Sequence, residues 1–199
     1  MTTLPQTPAF HEPDPVVRRR SLILGSRLML GANLTAQLSF LFAYLYLRAN
    51  NNNGMWHPDG VGPPPIGLAV AVLLLQVAAF AAVWAASSAL TRKPGASAFV
   101  RLLEVGMVLG AACLAFRLFQ ITHLGWTAAQ GTYVDVSILW FFFLAAQVFI
   151  GILWLIKLLS GQLRRTVLVT VADLRSAAEY WAFVTVVSFM VFLLVQYVT

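Results

Sequence analysis

The chain has 199 residues, 60% apolar and only 10% charged, with a mean hydropathy of +0.81 and a formal net charge of +6. A water-soluble domain carries roughly 25% charged residues, so this composition excludes a water-facing surface over most of the molecule and makes lipid its solvent. The basic residues lie in short loops beside apolar runs, so they read as topology signals and contacts to anionic lipid, not as a nucleic-acid surface.

Residues 1–21 carry Pro5, Pro8, Pro13 and Pro15 and end on Arg18, Arg19 and Arg20. They read as an extended or disordered cytoplasmic tail. They do not read as a signal peptide, because the apolar run that follows is too long for one. Residues 22–199 then form one membrane domain with five spans, about 26–48, 66–90, 99–121, 134–159 and 177–198. Each is long enough at 1.5 Å per residue to cross a hydrocarbon core of about 30 Å. Helix is imposed there because backbone polar groups find no water. The runs do not alternate as barrel strands would. The fold class is therefore all-α, a polytopic bundle of five transmembrane helices.

Span one holds Asn33 and Gln37 one turn apart, with Tyr44 near the same stripe. They read as an interhelical hydrogen-bonding face, or alternatively as a contact to a partner helix or the remnant of a proton-linked site. The loop 49–65 has no Lys or Arg. Its Trp56, like Trp126 further on, suits an outer interface. Pro63, Pro64 and Pro65 suit the start of span two. Arg92 and Lys93 follow span two, and Arg101 opens span three, where it can pair with Glu104. Glu104 is the one carboxylate expected inside the hydrocarbon region.

Gly106 and Gly110 form a GxxxG on span three and predict close helix packing. Cys113 reads as a small core residue; as the sole cysteine it allows no intrachain disulfide and no two-cysteine metal site. Arg117 and Gln120 lie near the outer end, where an arginine can snorkel. Span four carries the packing bulk Phe141, Phe142 and Phe143, and Gln147, which needs a partner in mid-membrane. Lys157, Arg164, Arg165 and Arg175 follow. The stretch 162–176 is too short and polar to span and reads as an amphipathic surface turn. Glu179 opens span five, solvated or paired with a nearby basic residue.

The basic residues alternate strictly between sides. The positive-inside rule then places the N-terminus inside and the C-terminus outside. The histidines His11, His57 and His123 avoid mid-membrane. No metal, haem-attachment or phosphate-loop motif occurs. No catalytic, cofactor-binding or metal residue is assigned to this chain.

Three stretches together resemble subunit III of the haem–copper terminal oxidases in its short five-helix bacterial form. They are residues 40–48, FLFAYLYLR, which keep Tyr44 and Arg48; Gln147, Val148 and Gly151 in span four; and residues 179–187, EYWAFVTVV, which keep Tyr180 and Trp181. The resemblance covers residues 22–198. The family's intramembrane glutamate falls on Asn33. Its two span-four histidines fall on Leu144 and Gln147, and its His, Asp and Trp of span five fall on Ala182, Thr185 and Ser188. The chain thus resembles a divergent member that keeps the framework and has lost the ionisable groups.

The resemblance implies a non-catalytic core subunit in a bacterial inner membrane. It would support catalytic subunit I, which carries the haem and copper, and would bind phospholipid. The complex would pass electrons from cytochrome c or quinol to oxygen with proton translocation. Accessory service to a nitric oxide reductase-type complex, or a small independent transporter, are the alternatives. The residues expected to pack helices or to touch partner and lipid are Asn33, Gln37, Tyr44, Arg48, Arg101, Glu104, Gln147, Gly151, Tyr180 and Trp181.

Overall fold

A computed structural model describes residues 14–50, 56, 60–92, 97–127, 130–164 and 169–198. These form five helices, α1 (Pro15–Ala49), α2 (Ile66–Arg92), α3 (Ala98–His123), α4 (Thr132–Leu163) and α5 (Val171–Tyr197), with no strand among the described residues. All five are long and apolar enough to cross a membrane.

α1 starts earlier than expected. Asp14 accepts from the Val16 N–H at 2.9 Å and Pro15 takes the first helical position, so residues 15–21 are helix and not extended tail. An aspartate followed by proline is a start signal, because proline lacks only an N–H that the first turn leaves unpaired anyway. The remainder of the expected tail, residues 1–13, lies outside the described residues. With 35 residues, α1 runs for about 52 Å at 1.5 Å per residue, well beyond a hydrocarbon core. Pro65 opens α2 as expected, its carbonyl accepting from Leu68 and Ala69. The stretch 162–176 forms no separate surface helix among the described residues: it ends α4 and begins α5. Thr170 and Asp173 start α5 with reciprocal side-chain-to-backbone bonds of 3.3 and 2.9 Å.

Neighbouring helices meet at heights that fix their directions. Asn33 and Gln37 of α1 meet Gln147 of α4, while Trp140 reaches back to Gln37, so α1 and α4 are antiparallel. Ser26 meets Ser176 and Tyr44 meets Leu194, so α1 and α5 are parallel. Cys113 meets Gln76, Gly106 lies against Val83, and Gln76 meets Thr185 while Gln196 meets Pro64, so α2 opposes both α3 and α5. The bundle therefore runs up and down in chain order. Arg19, Arg20, Arg92, Arg101, Arg164 and Arg175 gather at one end, and Arg48 sits at the other.

Helices α2, α3, α4 and α5 form a ring in which α2 packs on α3, α3 on α4, α4 on α5 and α5 on α2. α1 lies outside it, against α4 and α5 only. The ring is cemented by stripes spaced three and four residues apart. They run through Ala69, Val72, Gln76, Ala79, Val83 and Ala86 on α2, and through Leu103, Gly106, Gly110, Cys113, Arg117 and Gln120 on α3. Alternating steps of three and four keep one seam facing a neighbour, as in left-handed coiled coils.

Two apolar layers fill the bundle. The layer at the basic end centres on Trp181, Leu155 and Leu103. The layer at the other end is aromatic, with Tyr44, Trp56, Tyr133 and Trp140. Trp56 is 4% exposed and packs edge-on against Tyr44 at 4.9 Å, so it belongs to this layer. A loop tryptophan is drawn inward here because two buried tyrosines supply an apolar wall, and its carbonyl accepts from the Tyr133 N–H at 3.2 Å.

Candidate functional site

The polar positions of α1 and α4 close into one ladder. Trp140 Nε1 donates to Gln37 Oε1 at 2.6 Å, Gln37 Nε2 donates to Gln147 Oε1 at 3.1 Å, and Gln147 Nε2 donates to Asn33 Oδ1 at 3.0 Å. Asn33 Nδ2 completes the run on the Met29 carbonyl at 3.2 Å. Each amide uses its oxygen as acceptor and its nitrogen as donor once, so the run is head to tail. Gln37 and Gln147 are buried, and Asn33 is half-buried at the ladder's edge. Of the readings open for Asn33 and Gln37, the observed contacts are interhelical glue: amides bond amides, and no carboxylate enters the ladder.

Gln147 also anchors α5. Its backbone carbonyl accepts from the Tyr180 hydroxyl at 2.8 Å. One turn on, Gly151 leaves a slot for the Trp181 indole: a Cβ there would sit 3.0 Å from Trp181 Cζ2 and 3.2 Å from Tyr180 Cε1. Gly110 forms the slot's other wall, where a Cβ would lie 2.7 Å from Trp181 Cη2. The GxxxG of α3 thus does pack closely, but its two glycines face different neighbours. Gly106 admits Val83 of α2, and Gly110 admits Trp181 of α5.

Tyr44 is fully buried, and its hydroxyl faces the Leu194 and Val198 carbonyls, each at 3.2 Å. Tyr133 donates to the Val195 carbonyl at 3.0 Å. The last carbonyls of a helix lack intrahelical donors; at the end of α5 Leu194 accepts from the Val198 N–H at 3.0 Å, and two tyrosines on α1 and α4 supply further donors. Arg48 is exposed in the last turn of α1, where a cation suits the helix C-terminus.

Arg101 and Glu104 do not pair. Both are exposed on α3, whereas Arg175 pairs with Glu179 at 3.3 Å on α5. A spacing of three permits a pair without enforcing it when neither side chain is held by packing. Glu179 thus takes a basic partner, as expected. Cys113 is a buried core thiol, directed at Gln76 Oε1 at 3.3 Å.

Arg117 overturns its expectation. It is 6% exposed, does not snorkel, and sets its guanidinium 5.7 Å over the Phe141 ring. The signal was available: Arg117 stands seven residues beyond Gly110 on the same inward stripe, and that periodicity outweighs nearness to the helix end. Trp140 and Gln76 were also missed as polar partners. Each carries a donor on an inward stripe opposite an acceptor of another helix, information that single-helix patterns lack. Of the phenylalanine run, Phe141 is buried beneath Arg117 while Phe142 is half-exposed.

His123 is exposed at the end of α3, and His11 and His57 lie outside the described residues. Among the described residues no group of three or more His, Cys, Asp or Glu converges. No protein-family profile matches the chain, and no curated protein matches its sequence.

Proposed function

We propose that this chain is a non-catalytic core subunit of a respiratory haem–copper terminal oxidase complex, a divergent relative of subunit III. It sits in a bacterial inner membrane with its N-terminus in the cytoplasm. Its work is to brace the catalytic subunit, which holds the haem and copper, and to hold phospholipid. The observation that carries this reading is the joining of Gln147 and Gly151 to Tyr180 and Trp181. Two stretches resembling the family, 33 residues apart in the chain, meet in one hydrogen bond and one slot. The third stretch contributes Tyr44, which ties α1 to the end of α5.

The amide ladder fits a bracing role better than proton transfer. Amides neither gain nor lose a proton at ordinary pH, whereas their mutual hydrogen bonds fix α1 on α4. The gathering of arginines at one end of the bundle supports cytoplasmic placement of that end. The outward apolar side chains of α1, among them Leu24, Leu28, Leu38 and Phe42, suit lipid or a flanking membrane subunit.

The test is affinity purification of the tagged chain from native membranes in mild detergent. The expected result is co-purification with a haem-bearing subunit and a reduced-minus-oxidised haem spectrum. Recovery of the chain alone, with no haem in the eluate, overturns the proposal.

A further inference from the structure

Arg117 lies in a narrow cleft inside the four-helix ring, toward the end opposite the gathered arginines. The cleft is lined by Arg117 and Gln120 of α3, Phe141 of α4, Ser188 and Gln196 of α5, and Pro64 ahead of α2. No carboxylate is among the described residues that line it. Arg117 Nε, Gln120 Oε1 and Ser188 Oγ are all buried without a hydrogen-bond partner. Guanidinium stays protonated in proteins, and an isolated buried charge is costly unless paired. The Phe141 face meets one side of the cation only. Arg117 Nε and two further unpartnered polar groups, Gln120 Oε1 on α3 and Ser188 Oγ on α5, thus line one enclosed cleft around a charge.

We infer that this cleft binds one monoatomic anion of halide size, held by the Arg117 guanidinium and the Ser188 hydroxyl. The Gln120 amide contributes its NH₂ when turned about its last bond, an orientation that heavy-atom positions do not distinguish. Size decides against a phosphate headgroup. The cavity measures only about 20 Å³, room for a single small body. The Gln196 amide, donating to the Pro64 carbonyl at 2.9 Å, crosses from α5 to the segment ahead of α2 beside it. The inference stands independently of any oxidase partner.

The test uses the full chain in phosphatidylcholine nanodiscs at fixed ionic strength, with sodium gluconate replaced stepwise by sodium chloride. The expected result is a saturable rise in Tm with chloride. Arg117→Gln removes the dependence. Ser188→Ala raises the half-saturating chloride concentration about tenfold, the loss of one hydrogen bond to a charged group. Crystals soaked in bromide give an anomalous peak beside Arg117. A Tm indifferent to chloride overturns the inference, as does a Tm that follows added phosphatidylglycerol and not chloride. If Arg117→Gln does not fold, the Ser188→Ala titration decides alone, and an unchanged midpoint is fatal.

Discussion

Replacing Gln147 by leucine keeps the side-chain volume near constant and removes the middle of the amide ladder. Two interhelical hydrogen bonds disappear, to Gln37 at 3.1 Å and to Asn33 at 3.0 Å. In membranes such bonds average about 0.6 kcal/mol and reach about 1.7. The substitution also strands the Gln37 Nε2 donor and the Asn33 Oδ1 acceptor. Gln37 is 1% exposed, so its donor finds no water, and an unsatisfied buried group costs about 1–3 kcal/mol. Asn33 is half-buried, but at this depth its open side faces hydrocarbon, which offers no donor. The expected loss is about 2 kcal/mol.

Reversible unfolding in mixed micelles of rising SDS fraction, read by tryptophan fluorescence, measures it. The Gln37→Leu and Gln147→Leu single variants and their double form a cycle. The double is expected to cost about 1 kcal/mol less than the sum of the singles, because the second change strands no new partner across their shared bond. A Gln147→Leu variant within about 0.3 kcal/mol of wild type, or strict additivity in the cycle, would refute the claim that the ladder fastens α1 to the ring.

Three further outcomes rest on the same geometry. Gly151→Leu drives its new side chain into Trp181 and Tyr180 and should cost about 1–3 kcal/mol by overpacking. Gly31→Ala, on α1 with nothing within 4 Å of the new methyl, should instead stabilise by about 0.5–1 kcal/mol; the two are compared in the same SDS titration. Tyr44→Phe removes the hydroxyl that faces the Leu194 and Val198 carbonyls at a cost of about 1 kcal/mol, and hydrogen exchange over residues 194–198 should quicken with it. Arg175→Ala breaks an ion pair whose side chains are 72% and 30% exposed, so thermal unfolding should register less than about 1 kcal/mol.

Helix number, approximate span and alternating direction were legible in the sequence because lipid forces each apolar run of sufficient length to pair its own backbone. The starts of α1 and α5 were not. Asp14 with Pro15, and Thr170 with Asp173, are local signals, but both stand in polar stretches that hydropathy assigns to loops. The need of Gln147 for a partner was legible from its cost in mid-membrane. That its partners are Gln37 and Asn33, with Trp140 completing the run, required knowing that α1 lies on α4 and not on α2.

By itself the sequence determined five apolar runs long enough to cross a membrane and the placing of basic residues that gather at one end of the bundle. Those are properties of each segment, independent of its neighbours. Only the tertiary structure decided that four helices form a ring with α1 outside it. Only there do Gly110 and Gly151 become the two walls of one tryptophan slot, and Arg117 an enclosed charge. Hydropathy carries no information on which apolar faces meet, since lipid satisfies any of them equally well. The choice falls to shape and to a few buried polar atoms, and these acquire partners only when the helices pack.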